Sequence, residues 1–351
     1  MATPEVEAAR VLLERLGLTP EQLLEQLTPR VVPTFGEYIP TLVTSIPAST
    51  LRVYGTYFDR LVEEWGSRRL TEPTASELRQ LAEVTRHRAI IRRNSRGGRS
   101  AAENFIAAAR CVYRHAEEDG YIQVDSNPAR RVAKPRRLAS TRRAISDTRL
   151  AEIVRVAATT GNDPELDSLI LRLHIETACR RCGALALRPM DLDPEQCLVF
   201  LREKADTVRW QPVTSTLMQA LLAHVADRHL GTPIKTAQLL RRRNGAAITR
   251  RHYDSLWNRI GRELEWVARQ QVSTHWLRHT TLTWVERNFG YAIARAYAGH
   301  ANPDGRIGQT VTYIRASLEE VAEALAAMTG EPHPLAMESR EVGYTRQVRT
   351  A

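Results

Sequence analysis

Apolar residues recur at helical spacing along most of the chain. Tyr54, Tyr57, Phe58, Leu61, Val62 and Trp65 fall at i, i+3, i+4, i+7, i+8 and i+11, one stripe that stops at Gly66. Thr74 and Glu77 form a capping box that opens a second helix, and a third runs from about Ala101 to Glu118, with Gly120 after it. Residues 34–135 therefore read as all-helical, with the aromatic stripe as core. Residues 126–145 break the pattern with two prolines, no acid and no helical period. Helical spacing returns from 146 to about 330, interrupted by one β-rich pair. Cys197–Arg202 and Thr207–Val213, separated by Glu203-Lys204-Ala205-Asp206, predict a hairpin. Leu318, Val321, Leu325 and Met328 predict a last amphipathic helix, and the polar tail from 331 is expected to be mobile. The first thirty residues predict two short helices, the second opened by Thr19-Pro20-Glu21-Gln22.

The expected organisation is an acidic N-terminal helical arm (1–30), a helical domain (31–135), a basic linker (136–145), a second domain (146–330) and a tail (331–351). The fold class is mainly α with a small β-hairpin or sheet. A length of 351 residues and a hydrophobic fraction of 43% suit two domains, each with its own core. No apolar run approaches the roughly 18–20 residues that cross a bilayer. The N-terminus lacks the charged-then-apolar pattern of a signal peptide. Four cysteines are too few for a disulfide framework, which fits a reducing cytoplasm. No membrane partner is expected.

Charge changes the picture. Fifty basic residues against forty acidic ones give +10, the electrostatic footprint of a nucleic-acid binder. Their placement says more. No acid lies between Glu83 and Glu103, where Arg86, Arg88, Arg92, Arg93, Arg96 and Arg99 gather with His87. None lies between Asp125 and Asp147, where Arg130, Arg131, Lys134, Arg136, Arg137, Arg142 and Arg143 are spread. Arg241, Arg242, Arg243, Arg250 and Arg251 form a third cluster. Solvated faces are the plain alternative; three acid-free tracts favour a polyanion track. Only Lys134, Lys204 and Lys235 are lysines, so the position of each carries information.

His275-Trp276-Leu277-Arg278 places an imidazole and a guanidinium on one helical face and is the chain's single His-x-x-Arg. Upstream lies Thr177-Ala178-Cys179-Arg180-Arg181-Cys182-Gly183, and downstream Ala298-Gly299-His300 and then Thr310-Val311-Thr312-Tyr313. In order this is arginine, hairpin lysine, His-x-x-Arg, Gly-His, tyrosine. It resembles the tyrosine recombinase (phage integrase) family over roughly residues 30–330. The resemblance implies a two-domain clamp, a helical core-binding domain plus a mixed α/β catalytic domain. It implies Arg180 and Lys204 as the first catalytic arginine and the hairpin lysine, His275 and Arg278 as the His-x-x-Arg pair, His300 at the His/Trp position and Tyr313 as nucleophile. Gly183 stands where an acidic residue is usual and Ala178 where glycine is usual. The interval from His300 to Tyr313 is longer than the usual one by roughly four residues, with a turn-forming Asn-Pro-Asp-Gly inside it.

The chemistry suits those residue types. A hydroxyl attacking a phosphodiester builds negative charge on the non-bridging oxygens, which two guanidiniums can receive in forks. A phenol with pKa about 10 needs a base, a role His275 can fill, while His300 supports the phosphate. The 5′-oxygen leaves with a proton that lysine can give and arginine cannot, so Lys204 is the expected donor and Lys235 the runner-up. Neither metal nor other cofactor is expected. The implied activity is site-specific recombination or integration through a covalent 3′-phosphotyrosine. Its partners would be a double-stranded recombination site, a homotetramer in synapsis and accessory DNA-bending or directionality proteins, in a bacterial, nucleoid-associated setting. In synapsis the last helix would dock on a neighbouring protomer. A type IB topoisomerase-like enzyme and a non-catalytic DNA-binding protein on the same fold are the alternatives. Cys179-x-x-Cys182 reads as structural, on a helix, rather than as a zinc or redox pair. Tyr291 and Tyr297 read as core, Tyr344 as a weak alternative nucleophile, and His279 as a neighbour that orients the site.

Overall fold

The computed structural model describes residues 3–17, 19, 31–89, 98–135, 142–203, 207–228, 235–300 and 316–336. The chain divides into two compact units, 1–139 and 140–351. Among the described residues no helix is long and apolar enough to cross a membrane.

The first unit begins with α1 (Pro4–Leu16), started by proline and closed by left-handed Gly17, with Val11, Leu12 and Leu16 exposed. The second helix expected in the arm lies outside the described residues. Four helices then build the core: α2 (Phe35–Ser45), α3 (Ala48–Trp65), α4 (Ala75–Arg88) and α5 (Arg99–Glu118). Thr34–Glu37 and Thr74–Glu77 are both full capping boxes. The predicted stripe on α3 faces inward through Phe58, Leu61 and Trp65, and Phe35 packs its ring 5.5 Å from Trp65 and 6.1 Å from Tyr113. Each such fully buried side chain contributes about 1.5–3 kcal/mol relative to exposure. Two short 3-10 turns follow, Val124–Ser126 and Pro128–Arg131. They sit on this core through Ala129 and Val132, whose carbonyls accept from Arg110.

The second unit is helical around a small sheet. α6 (Asp147–Thr159), α7 (Pro164–Thr177) and the short α8 (Arg181–Ala186) precede it. The sheet is antiparallel in the order β1 (Leu192–Asp193), β2 (Leu198–Arg202), β3 (Val208–Pro212), with Phe200 opposite Trp210 and Arg202 opposite Val208. The expected hairpin is present; the third strand, two residues long, is an addition the apolar pattern is too short to reveal. α9 (Ser215–Arg228), α10 (Arg250–Glu263), α11 (Glu265–Gln270) and α12 (Thr274–Tyr297) follow, α12 being broken at Gly290. Leu166, Ile170, Leu173, Val199, Leu201 and Leu277 lie in one core between helices and sheet.

The expected last helix is α13 (Leu318–Thr329), and its Val321 and Leu325 pack with Ala178, Val285 and Tyr297 of its own unit. Two expectations are corrected here. The tail does not loosen at 331: Glu331 accepts from the Thr216 backbone N–H, His333 is buried against the Cys197 carbonyl, and Leu335 and Ala336 are buried. Tyr297 is core, its phenol donating to the Glu176 carbonyl, but Tyr291 is exposed with Arg295 over its ring. The two tyrosines are six residues apart, about 240° round a helix, so they do not share a face.

Candidate active site

The site is built where α7 ends. Ala178 closes the helix in a left-handed conformation (φ 49°, ψ 22°), which turns the chain sharply into α8. That geometry explains why glycine is the expected residue at this position. His174, fully buried, locks the turn from beneath: its Nδ1 lies 3.0 Å from the Cys179 carbonyl and its Nε2 3.0 Å from the Tyr253 hydroxyl. Burial pulls this imidazole down to about 4, so it is neutral. Cys179 is buried in the break between the two helices rather than on a helix, Cys182 is exposed, and both are free thiols. Arg180, the residue before α8, emerges from this turn part-exposed.

α12 supplies the opposite wall. Thr281 donates to the Ile175 carbonyl at 2.7 Å and fixes α12 against α7. Arg278 is then buried, one Nη donating to the Ala178 carbonyl and the other to the Ala298 carbonyl at 2.7 Å. Two carbonyls orient the guanidinium without neutralising it. Desolvation, and then the charge of Arg180, lower it to about 10, which still leaves it cationic at neutral pH. His275, one turn earlier, is exposed. Desolvation, then the charges of Arg142 and Arg278, hold it below its ordinary value, which keeps it ready to accept a proton. His300 follows the Ala298-Gly299 turn, its Nε2 3.5 Å from Arg278, long for a hydrogen bond. Desolvation and the charges of Arg278 and Arg180 depress it likewise. His279 bonds Thr283 on its own helix at 3.0 Å.

Arg180, His275, Arg278 and His300 are thus brought together. Lys204 and Tyr313 lie outside the described residues, as do Arg92, Arg93, Arg96, Arg136, Arg137 and Tyr344. Lys235, the alternative donor, is exposed, and its carbonyl accepts from the Met190 N–H.

Two residues that the motif reading missed sit at the centre. Glu203, its side chain fully covered, accepts from the Arg180 backbone N–H, from Arg180 Nη1 at 2.6 Å and from Arg209 Nη1 at 2.8 Å. Burial pushes this carboxyl up, but the Arg209 charge and the Arg180 N–H outweigh it, so it stays ionised and below its ordinary value. Arg209 also donates to the Thr177 carbonyl at 3.3 Å and to Gln211 at 3.0 Å. It lies under the turn that carries His300: Gly299 has φ +61°, and a Cβ there would overlap the Arg209 guanidinium. The signal for Glu203 was the missing acid at position 183, because a guanidinium this close to others calls for a carboxylate from somewhere.

The remaining basic candidates are more occupied than their sequence tracts imply. Arg130 forks onto Glu117 at 2.7 and 2.8 Å, Lys134 faces Glu103 at 3.5 Å, and Arg131 donates to the Asp125 carbonyl at 2.7 Å. Folding brings acids from α5 to a stretch that has none in sequence. Arg99 opens α5. Arg241 spends its guanidinium on the Gln238 and Gly245 carbonyls, whereas Arg242 is exposed.

Residues 145–319 match the model of the phage integrase family. Among curated proteins none matches the chain in sequence. Solved structures share the fold at low identity. A lambda integrase tetramer bound to a Holliday junction is 14% identical with a TM-score of 0.58, covering 89% of this chain and 86% of that one. The Tn1549 transposon integrase with circular intermediate DNA is 15% identical with a TM-score of 0.59, covering 83% and 98%. XerH site-specific recombinase in a post-cleavage complex is 15% identical with a TM-score of 0.57, covering 83% and 78%. The ordered site and the matched domain together place this chain in the phage integrase family, among the tyrosine recombinases.

Proposed function

We propose that the chain is a site-specific DNA recombinase that cuts and rejoins strands through Tyr313, with a double-stranded recombination site as substrate and a homotetramer as the working assembly. The observation that supports this most is the convergence of Arg180, Arg278, His275 and His300 on one surface, where Arg180 and Arg209 share a single carboxylate and Arg278 is held by two carbonyls. The excess positive charge suits a phosphate that gains negative charge as it reacts.

The steps balance without an external energy source. The Tyr313 oxygen attacks phosphorus while its proton passes to His275. The bond from phosphorus to the 5′-oxygen breaks, and that oxygen takes a proton from Lys204. Arg180 and Arg278 receive the non-bridging oxygens, and His300 donates to one of them. Attack by a 5′-hydroxyl on the phosphotyrosine reverses every step and rejoins a strand. Guanidiniums supply the charge stabilisation, so the scheme draws on no metal. The exposed Arg242 and the basic residues of 92–99, with Arg136 and Arg137, are assigned to the phosphate backbone.

A suicide DNA substrate tests the reading. Wild-type protein accumulates a covalent adduct, and Tyr313→Phe abolishes it while binding the same DNA. An adduct that persists in the variant moves the nucleophile elsewhere. Tight, salt-sensitive binding with no adduct in the wild type makes the chain a non-catalytic binder. Supercoil relaxation without sequence preference makes it a topoisomerase-like enzyme.

A further inference from the structure

We propose that Glu203 is the positioning carboxylate of this active site, supplied from the end of β2 in place of an acid at position 183, and that it holds Arg180 in register with Arg209 and the turn bearing His300. The inference rests on the recombinase reading and concerns how its first arginine is held.

Position 183 is three residues beyond Arg180 on the first turn of α8, the spacing at which side chains share a face. A Cβ at Gly183 would stand 3.1 Å from Glu203 Cγ and 3.2 Å from its Oε1. The space a side chain at 183 would enter is therefore already filled by Glu203. The occupant is bonded on both oxygens, one by the Arg180 N–H and the other by Arg180 Nη1 and Arg209 Nη1. A covered carboxylate is retained only when paired this fully, and removing it leaves Arg209, itself mostly buried, without its counter-charge. Arg180 would then lose the partner that fixes one edge of its fork.

The origin of the carboxylate matters as much as its place. Glu203 directly follows β2, and its own N–H donates to the Thr207 carbonyl at 2.8 Å, which continues the pairing of β2 with β3. An acid at 183 would orient Arg180 alone. Glu203 orients Arg180 with its side chain and the root of the hairpin with its backbone, while Arg209 extends the same network to the turn bearing His300.

The test is single-turnover cleavage of a suicide substrate, with DNA affinity and the unfolding midpoint measured on the same proteins. Glu203→Gln keeps the shape and removes the charge; cleavage is expected to fall about 100-fold, the scale of one misplaced donor, with affinity nearly unchanged. Gly183→Glu in the wild-type background crowds two carboxylates together and also slows cleavage. The double variant Gly183→Glu/Glu203→Ala returns an acid to the same space and is expected to recover roughly tenfold over Glu203→Ala. Recovery is a readout that a merely structural role for Glu203 does not predict, and it serves even if Glu203→Gln folds poorly. Wild-type cleavage by Glu203→Gln, or a folded double variant with no recovery, overturns the inference alone. A wild-type chain that forms no Tyr313-dependent adduct removes the recombinase reading, and this inference with it.

Discussion

Arginine is used in opposite ways in two regions of the molecule. On the first unit several basic side chains each meet a carboxylate: Arg86 meets Glu83, Arg88 meets Glu64, Arg130 meets Glu117 and Lys134 meets Glu103. At the candidate site of the second, Arg180 and Arg209 share Glu203, and Arg278 is held by two carbonyls. Charge in those first-unit pairs is compensated and largely exposed, which makes it a weak source of stability and a soft, salt-sensitive surface. Charge at the site is oriented partly by neutral dipoles and left in excess, which is what a reacting phosphate can use. A count of basic residues does not distinguish these two states.

The sharpest test of that contrast is Arg278→Lys. The charge stays, but an ammonium cannot bond both the Ala178 and Ala298 carbonyls and still present a fork. Strand cleavage should fall about 10²–10³-fold while DNA affinity changes little, as measured by single-turnover cleavage beside fluorescence anisotropy. A near-normal rate would mean that charge alone suffices and that orientation by carbonyls is irrelevant.

A second test concerns the turn beneath the arginines. His174 is neutral in the folded state with a value of about 4, against an ordinary 6.5, so the unfolded chain binds a proton that the folded one refuses. Stability from this group is present above pH 6.5 and is lost as pH falls from there towards 4, by about 3 kcal/mol. Carboxylates add a slope of the same sign, so the measurement is a comparison. Urea unfolding between pH 7 and 4 should be less steeply pH-dependent in His174→Gln than in the wild type. Equal slopes would show that the imidazole does not carry this dependence.

The smallest effect is expected from Arg130→Ala. A guanidinium already neutralised by Glu117 releases few counterions, so the salt slope of DNA binding should change by much less than the ~0.9 of a direct phosphate contact. A full change would show that Arg130 leaves Glu117 for the duplex, which would erase the contrast in that part of the first unit.

Local signals were legible in the sequence, and non-local pairing was not. The capping box at Thr74–Glu77, the stripe from Tyr54 to Trp65 and the hairpin around residue 204 each depend on neighbours a few positions apart. Arg180, His275, Arg278 and His300 were found because their order along the chain carries the resemblance. Glu203 and Arg209 were not, because their importance arises only when β2 and β3 pass beside α8 and the Gly299 turn. The tract at 126–146 is acid-free only along the chain, since Glu103 and Glu117 approach it from another helix. The apolar run around Tyr291 misled because six residues turn it about 240° away from the buried face of Tyr297.

Ala178 has a consequence of its own. A residue with a methyl group in left-handed backbone costs roughly 1–2 kcal/mol, so the surroundings must hold it there. Its methyl is gripped by the cluster beneath Val321 and Leu325, while its oxygen grips Arg278. The last described helix and the buried Arg278 guanidinium are therefore one amino acid apart mechanically, and whatever loosens the seat of the former is transmitted to the latter without an intermediary.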